Sequence, residues 1–471
     1  MKRDMKRRIS LGVVTSTAAI AATQAFASGF ALQEQNVSGL GNSYAGSGAV
    51  AEDASTIFFN GAGLTQLDKA SVTVSLNDIN INSKFRNGGS NGTSVNALAQ
   101  PLGSEGGNAG GNSIVPALYA SMPFANKFAI GLGINAPFGL KTEYSDDFMG
   151  RFQATKSEVK TMNVDAVFAF KPNNLVSFSV GVDYQKLDAE LNNMLNFDAV
   201  AAQVLAGPPY SVPPTNLNAL LAANPGLQGS SSVKGSDSKW GYDLGVLITP
   251  SDATKVGLSY RSAINYHVTG TATFTAPTST NGTIQAVITG ARATALADGP
   301  ITLDIKLPAS ARVAVAHVLE NESNLELLFE VSWTEWSSVQ ALTIVRTSGT
   351  VLKNTPENWS DTWRAALGGN YKLSNNVKLR AGVAVDSSPV GNGYRTPRLP
   401  DNDRMWVSLG AQWNIGSSFV LDAGYAHLFA NDADMYQSDG YGAAQGYPNG
   451  LLIGTQKSSI DILGVQGTFK F

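Results

Sequence analysis

From residue 70 onward the chain alternates. In "KVGLSYRS", Val256, Leu258 and Tyr260 fall at every second position, between Lys255, Gly257, Ser259 and Arg261. In "KLRAGVAVD", Leu379, Ala381, Val383 and Val385 do the same, and in "DILGVQGTFKF" Leu463, Val465, Phe469 and Phe471 share one face. A period of two is that of a strand with two unlike faces. The connections between such runs come in two kinds. "KPNN" (171–174), "TPSDAT" (249–254), "ENESN" (320–324) and "LSNN" (373–376) are short turn clusters. The regions at about 86–112, 190–235, 271–300, 386–402 and 430–454 are long and rich in Gly, Ser and Asn. Short turns at one end and long loops at the other belong to outer-membrane barrels, and the count of runs is about fourteen, an even number as such barrels require.

The leader points to export. Lys2, Arg3, Lys6, Arg7 and Arg8 precede an apolar run, and Ala25-Phe26-Ala27 fits a small-x-small cleavage pattern. Residues 1–27 are expected to be a signal peptide, with Ser28 the mature N-terminus. No later apolar run is long enough for a transmembrane helix, which needs roughly 18 residues. Charged residues make up 15% of the chain, against roughly 25% in soluble proteins. A barrel in lipid explains that deficit: the sheet must close to satisfy its backbone, and its outer face must be apolar. Aromatics near run ends, namely Tyr119, Phe124, Tyr184, Tyr260, Trp333, Trp336, Trp406, Trp413 and Phe429, fit interface girdles or ordinary strand packing. The terminal Phe471 is similar to the signature read by barrel-assembly machinery, which is therefore an expected partner.

Catalytic signals are absent. The chain has no cysteine, which excludes thiolate chemistry. His267, His317 and His427 stand singly, without metal-ligand spacing. "GLGIN" at 131–135 lies inside a strand and opens no helix. "DNDR" at 401–404 carries too few carboxylates for a calcium loop. With a net charge of -3 and no basic tract after the leader, nucleic acid is not an expected partner. Neither an enzyme nor a cofactor-dependent protein is expected.

Several blocks resemble the FadL/TodX family of outer-membrane transporters of long-chain fatty acids and hydrocarbons. They are "SGFALQEQNVSGLGNSYAGSGAVAEDASTIFFNGAGLTQL" (28–67), "APFGLKTEY" (136–144), "GRFQATKSEVKTMNV" (150–164), "SWTEWSSV" (332–339), "DTWRAALGGNY" (361–371), "RTPRLPDNDRMWVSLG" (395–410) and "DAGYAHLF" (422–429). The resemblance implies an all-β fold: a transmembrane antiparallel barrel of fourteen strands, residues 70–471, its lumen closed by a small N-terminal hatch, residues 28–69. It also implies a passive route. Ligand is captured by the extracellular loops, moves to an apolar lumen pocket touching the mature N-terminus, displaces the hatch, and leaves sideways at a kinked strand into outer-membrane lipid.

On that reading Ser28, Gly29 and Phe30 form the ligand-facing tip. Leu191, Met194, Leu195, Phe197, Val200, Val204, Leu217, Leu220 and Leu221 are many apolar residues for an outer loop. Such a surface marks a binding site, unless the residues pack only against one another to close the barrel top. The spacing of Leu191, Met194, Leu195 and of Leu217, Leu220, Leu221 predicts amphipathic helices. A fatty acid carboxylate needs a cation in a buried site. By motif position Lys186 and Lys353 are the expected head-group contacts, with Arg151 and Lys156 as further candidates; water-bathed lumen lysines are the alternative. The hatch departs from the family at Asn60-Gly61-Ala62, where Asn-Pro-Ala is usual, and Asn163-Val164-Asp165-Ala166 departs similarly. Its charges, Glu34, Glu52 and Asp53, are expected to pair with inward Lys and Arg. A hydrocarbon channel, a general porin and a surface receptor remain as other readings.

Overall fold

The computed structural model describes residues 29–91, 100–320, 322, 324–437 and 450–471. The leader and Ser28 lie outside the described residues, as do parts of two long loops. Among the described residues, twenty strand segments form one antiparallel sheet. It closes on itself, because the first strand, Ser71–Asn87, pairs with both Gly111–Phe124 and Leu452–Lys470. Six strands are interrupted, so twenty segments make fourteen wall strands.

The first five are Ser71–Asn87, Gly111–Phe124, Phe128–Asn135 with Gly139–Glu143, Lys156–Phe170 and Val176–Asn196. The sixth is Gln228–Ser251, the seventh Thr254–Arg261 with Ile264–Thr275, and the eighth Gly299–Leu307 with Ser310–Val318. The ninth is Leu325–Thr334 with Ala341–Arg346, and the tenth Val351–Pro356 with Thr362–Lys372. Val377–Asp386, Arg404–Ile415, Phe419–Ala430 with Ala433–Gln437, and Leu452–Lys470 complete the wall.

The alternation read from the sequence sorts the wall into two faces. Leu463, Val465 and Phe469 point out and are exposed, while Gln466 and Thr468 point in and are buried. Lipid offers the backbone no partner, so ladder closure supplies every strand with two neighbours. Part of the aromatic reading holds: Phe124, Tyr184, Trp413 and Phe429 are exposed on the outer face. Tyr119, Trp336 and Trp406 are buried in the interior instead. Trp336 moved because the ninth strand carries extra residues. Nine positions separate Ser310 from Ile301 in the eighth strand, but twelve separate their partners Thr334 and Arg346. The excess forms a 3-10 turn, Trp336–Ser338, that turns the indole inward.

The outer loops carry three helices. Phe197–Ala206 is capped by the Asn196 side chain, which accepts from Ala199 N. Pro214–Ala222 starts with proline at its first position, where the missing N–H costs nothing. Gly282–Ala293 is capped by Asn281. Their apolar faces pack together through Ala201, Leu205, Leu217, Leu221 and Val287. Phe197 packs against Ile284 and Ile288, with Val200 and Leu220 beside them. Leu217, Leu220 and Leu221 lie on a helix as their spacing predicts. Leu191, Met194 and Leu195 do not: they end the fifth strand, paired with Val233, Ser230 and Gly229. A four-residue spacing keeps Leu191 and Leu195 on one face in a strand as well as in a helix, and the neighbouring sixth strand supplies a full ladder there.

Residues 29–69 lie inside the barrel without forming a strand of the wall. Most of this hatch is buried. Small residues allow that closeness: a Cβ on Gly41 would stand 2.7 Å from Gly410 Cα. Of the three carboxylates expected to meet Lys or Arg, Glu52 does so directly among the described residues. Glu52 binds Lys378 at 2.6 Å and Arg380 at 2.8 Å. Asp53 accepts from Ser38 Oγ at 2.8 Å and from Gln466 Nε2 at 2.9 Å. Glu34 lies in the field of Arg404 and Arg364. Asn60 caps the 3-10 helix Gly61–Gln66 and donates to Gly48 O and Val246 O, fastening the end of the hatch to the sixth strand.

Candidate functional site

The third strand is broken at Ala136-Pro137-Phe138, and the hatch tip fills the break. Leu32 N donates to Pro137 O at 2.8 Å, Gly139 N donates to Phe30 O at 2.9 Å, and Ala31 bridges Phe138. Gln35 Nε2 donates to Ala136 O at 2.8 Å. Proline explains why the wall strand stops here, since it has no N–H to give a ladder. The freed backbone groups are paired by the hatch in place of a neighbouring strand.

This seating places Phe30 in an aromatic chamber. Its ring centroid is 4.8 Å from that of Trp336, 5.9 Å from Phe138 and 5.9 Å from Trp359. Gly29 adopts φ +66 against Trp336, where an added Cβ would stand 2.6 Å from Cζ2. Leu140, Leu187, Ile264, Tyr266, Leu303 and Leu307 extend the apolar lining. What remains beside the hatch is a cavity of about 60 Å³, room for water and not for a lipid chain. Phe30 thus occupies the apolar volume that a hydrophobic ligand would need.

A polar roof covers the chamber. Trp359 Nε1 donates to Glu357 Oε2 at 3.1 Å. Glu357 is buried among the roof groups. Arg398 is buried too, and desolvation brings its guanidinium down to about 10 while Glu357 raises it. It donates to Ser157 Oγ at 3.1 Å, Gln153 O at 3.0 Å and Lys156 O at 3.2 Å. Trp336 Nε1 is buried without a partner among the described residues.

The candidates read from the sequence divide on this geometry. Gly29 and Phe30 stand in the chamber. Lys353 lies opposite Ile344 and within electrostatic reach of Glu357. Lys186 does not reach the lumen. It faces outward, 46% exposed and bound to Asp188 at 2.9 Å, because Gln185 and Leu187 take the inward positions of the fifth strand. Lys156 also faces outward, between Glu158 at 3.0 Å and Glu190 at 3.1 Å. Arg151 is buried but clamps the loop after the third strand, donating to Pro101 O, Leu102 O and Phe148 O. Leu191 and Leu195 join Val233, Phe274 and Ile344 in a wall cluster, and Phe197 and Val200 close the top with the loop helices. Phe138, Trp359, Glu357 and Arg398 were not singled out. The signal for Phe138 and Arg398 was their position in the quoted blocks 136–144 and 395–410.

At the far end of the hatch, Gly61 is a steric requirement. A Cβ there would stand 2.5 Å from Val167 Cγ1 and 3.0 Å from Ser179 Oγ. Glycine at position 61 therefore makes room for Val167 on the facing strand.

Comparison with known proteins agrees with this architecture. A family model described as "Outer membrane protein transport protein (OMPP1/FadL/TodX)" matches residues 18–471. An outer membrane protein of Neisseria meningitidis is 30% identical over 466 residues, covering 96% of this chain and 97% of that one. The long-chain fatty acid transport protein of Escherichia coli O157:H7 is 26% identical over 446 residues, covering 90% and 94%. The crystal structure of a Pseudomonas aeruginosa FadL homologue superimposes with a TM-score of 0.81 at 25% identity, covering 94% of this chain and 99% of that one.

Proposed function

Because this chain belongs to the OMPP1/FadL/TodX family of outer membrane transport proteins, we propose that it takes up long-chain fatty acids passively, using the Phe30 chamber as a ligand-operated lock. The observation that carries this reading is the double duty of the hatch tip. Phe30 fills the apolar chamber, and the adjacent backbone of Phe30 and Leu32 seals the third-strand break. A ligand that replaces Phe30 therefore withdraws the seal. The chain's own downhill gradient then drives it through the break into lipid, with no energy source needed in the barrel.

A fatty acid suits the roof better than a neutral hydrocarbon does. Arg398 supplies a buried cation and Trp336 an N–H unpaired among the described residues. A carboxylate accepting from either gains a charge-assisted bond in a low-dielectric site. The loop helices, with Val204 and Tyr210 exposed among them, act as the capture surface. Residues 28–69 serve as the hatch and 70–471 as the barrel, after cleavage behind Ala27 and assembly through the C-terminal Phe471 signature. The test is uptake of a labelled long-chain fatty acid by cells carrying Phe30→Ala. Binding by the purified variant should persist while uptake collapses; undiminished uptake would remove the lock from the mechanism.

A further inference from the structure

The wall has a second defect, between the sixth and seventh strands. Pairing runs from Ser230↔Thr275 to Ser236↔Thr269 and resumes at Asp243↔Arg261. Seven positions separate Ser236 from Asp243, but eight separate Thr269 from Arg261. The extra residue is a bulge, and the strands part around it. One backbone bond, Ser262 N to Tyr242 O at 2.9 Å, closes the end of the gap, and side chains stand in for the rest of the ladder. His267 N donates to Asp237 Oδ2 at 2.7 Å, and Tyr242 N donates to Ser262 Oγ at 3.0 Å. Asp237 also binds Lys239 at 3.2 Å, and the Lys239 side chain is 42% exposed although its position faces the interior.

This parting lies between the chamber and the lipid. Its inner side is Ile264, Tyr266 and Leu307, all part of the chamber lining. The cavity beside the hatch runs from Phe58 and Pro137 to Ser262 and Pro308, and it touches Leu244 and Tyr260 on the outer face. Immediately above, the outer wall has a concavity of about 460 Å³ lined by Lys160, Asp188, Glu190, Lys234 and Thr269. Below it Trp240 is 69% exposed, its ring 4.9 Å from that of Tyr184, as at a membrane interface. One row of paired residues links the two defects: Asn135, at the third-strand break, pairs with Asn163, Asn163 with Gln185, and Gln185 with Lys239.

We infer that the parting between Asp237–Tyr242 and Ser262–Val268 is a second lateral portal, through which the chain of an anionic amphiphile passes while Lys239 holds its head group. The inference rests on the transport reading but not on the third-strand break. The two openings are closed differently. The hatch backbone seals the third-strand break, whereas no hatch hydrogen bond crosses this one among the described residues. Irregular backbone and charge at membrane depth are tolerated where they line a watered passage, and are costly against lipid. A carboxylate that displaces Asp237 leaves Lys239 paired throughout, while Asp237 keeps the bond from His267 N. The charged concavity outside then receives the head group at the level of the interface.

The chain has no cysteine, so a thiol pair can be placed cleanly. Ser238→Cys with His267→Cys, bridged by a short bis-maleimide, ties the two strands together on the outer face. Uptake of a labelled long-chain fatty acid by the bridged barrel should fall about tenfold relative to the unbridged double variant, as for a blocked gate. In parallel, Lys239→Glu should slow fatty acid uptake and spare a neutral alkane. Heat-modifiable gel mobility confirms that each variant is folded. Uptake unchanged by both bridging and Lys239→Glu, in cells where the unaltered protein transports, would overturn the portal alone. An unaltered protein that moves no fatty acid would overturn the transport reading beneath it.

Discussion

The ring of Phe30 meets the ring of Trp336 at 4.8 Å and 61°, edge to face. That contact joins the hatch tip to a residue displaced into the lumen by a wall irregularity. For Phe30→Ala we expect a fatty acid to bind more tightly, because it no longer competes with the ring. Calorimetric or fluorescence titration of the purified barrel checks this; weaker binding would place the ligand elsewhere.

Gly61 and Val167 form a coupled pair. Gly61→Pro should fail to give a folded hatch, because its Cβ would stand 2.5 Å from Val167 Cγ1. Backbone geometry is not the obstacle, since the first position of a helix favours proline. The double change Gly61→Pro with Val167→Ala should therefore recover folding. Heat-modifiable mobility and channel conductance of the two variants decide it, and a well-folded single variant would refute the steric account.

Glu52 is the electrostatic anchor of the hatch. Removing its charge takes the anion from Lys378 and leaves Arg380 with Asp422, beside a vestibule of about 650 Å³. Breaking one partner of a buried pair costs about 3–5 kcal/mol, with the lower end apt for a partly solvated site. Glu52→Gln should loosen the hatch and raise single-channel conductance in planar bilayers. Conductance equal to the unaltered protein's would mean that the hatch is held by its packing alone.

The wall was legible because every strand has one lipid face: Leu463 and Val465 against Gln466 and Thr468 state the register outright. Interruptions were not legible. The three extra residues around Trp336 look like any other strand positions, and only the eighth strand's pairing reveals the surplus. Lys186 was assigned by motif position alone, and a shift of one residue in a strand exchanges lumen for lipid. The N-terminal residues 29–30 could be read as the tip by resemblance, whereas their seating on Pro137 depends on a break whose partner lies a hundred residues away. Arg398 was hidden by loop geometry, which no periodicity encodes.

The central claim is that ligand passage requires the hatch tip to leave the third-strand break. Ala31 and Phe138 bridge there as antiparallel partners, a geometry that a disulfide can span. Ala31→Cys with Phe138→Cys should, when oxidised, pin the tip and stop uptake of a labelled long-chain fatty acid, and reduction should restore it. Equal uptake in the oxidised and reduced states would contradict the account.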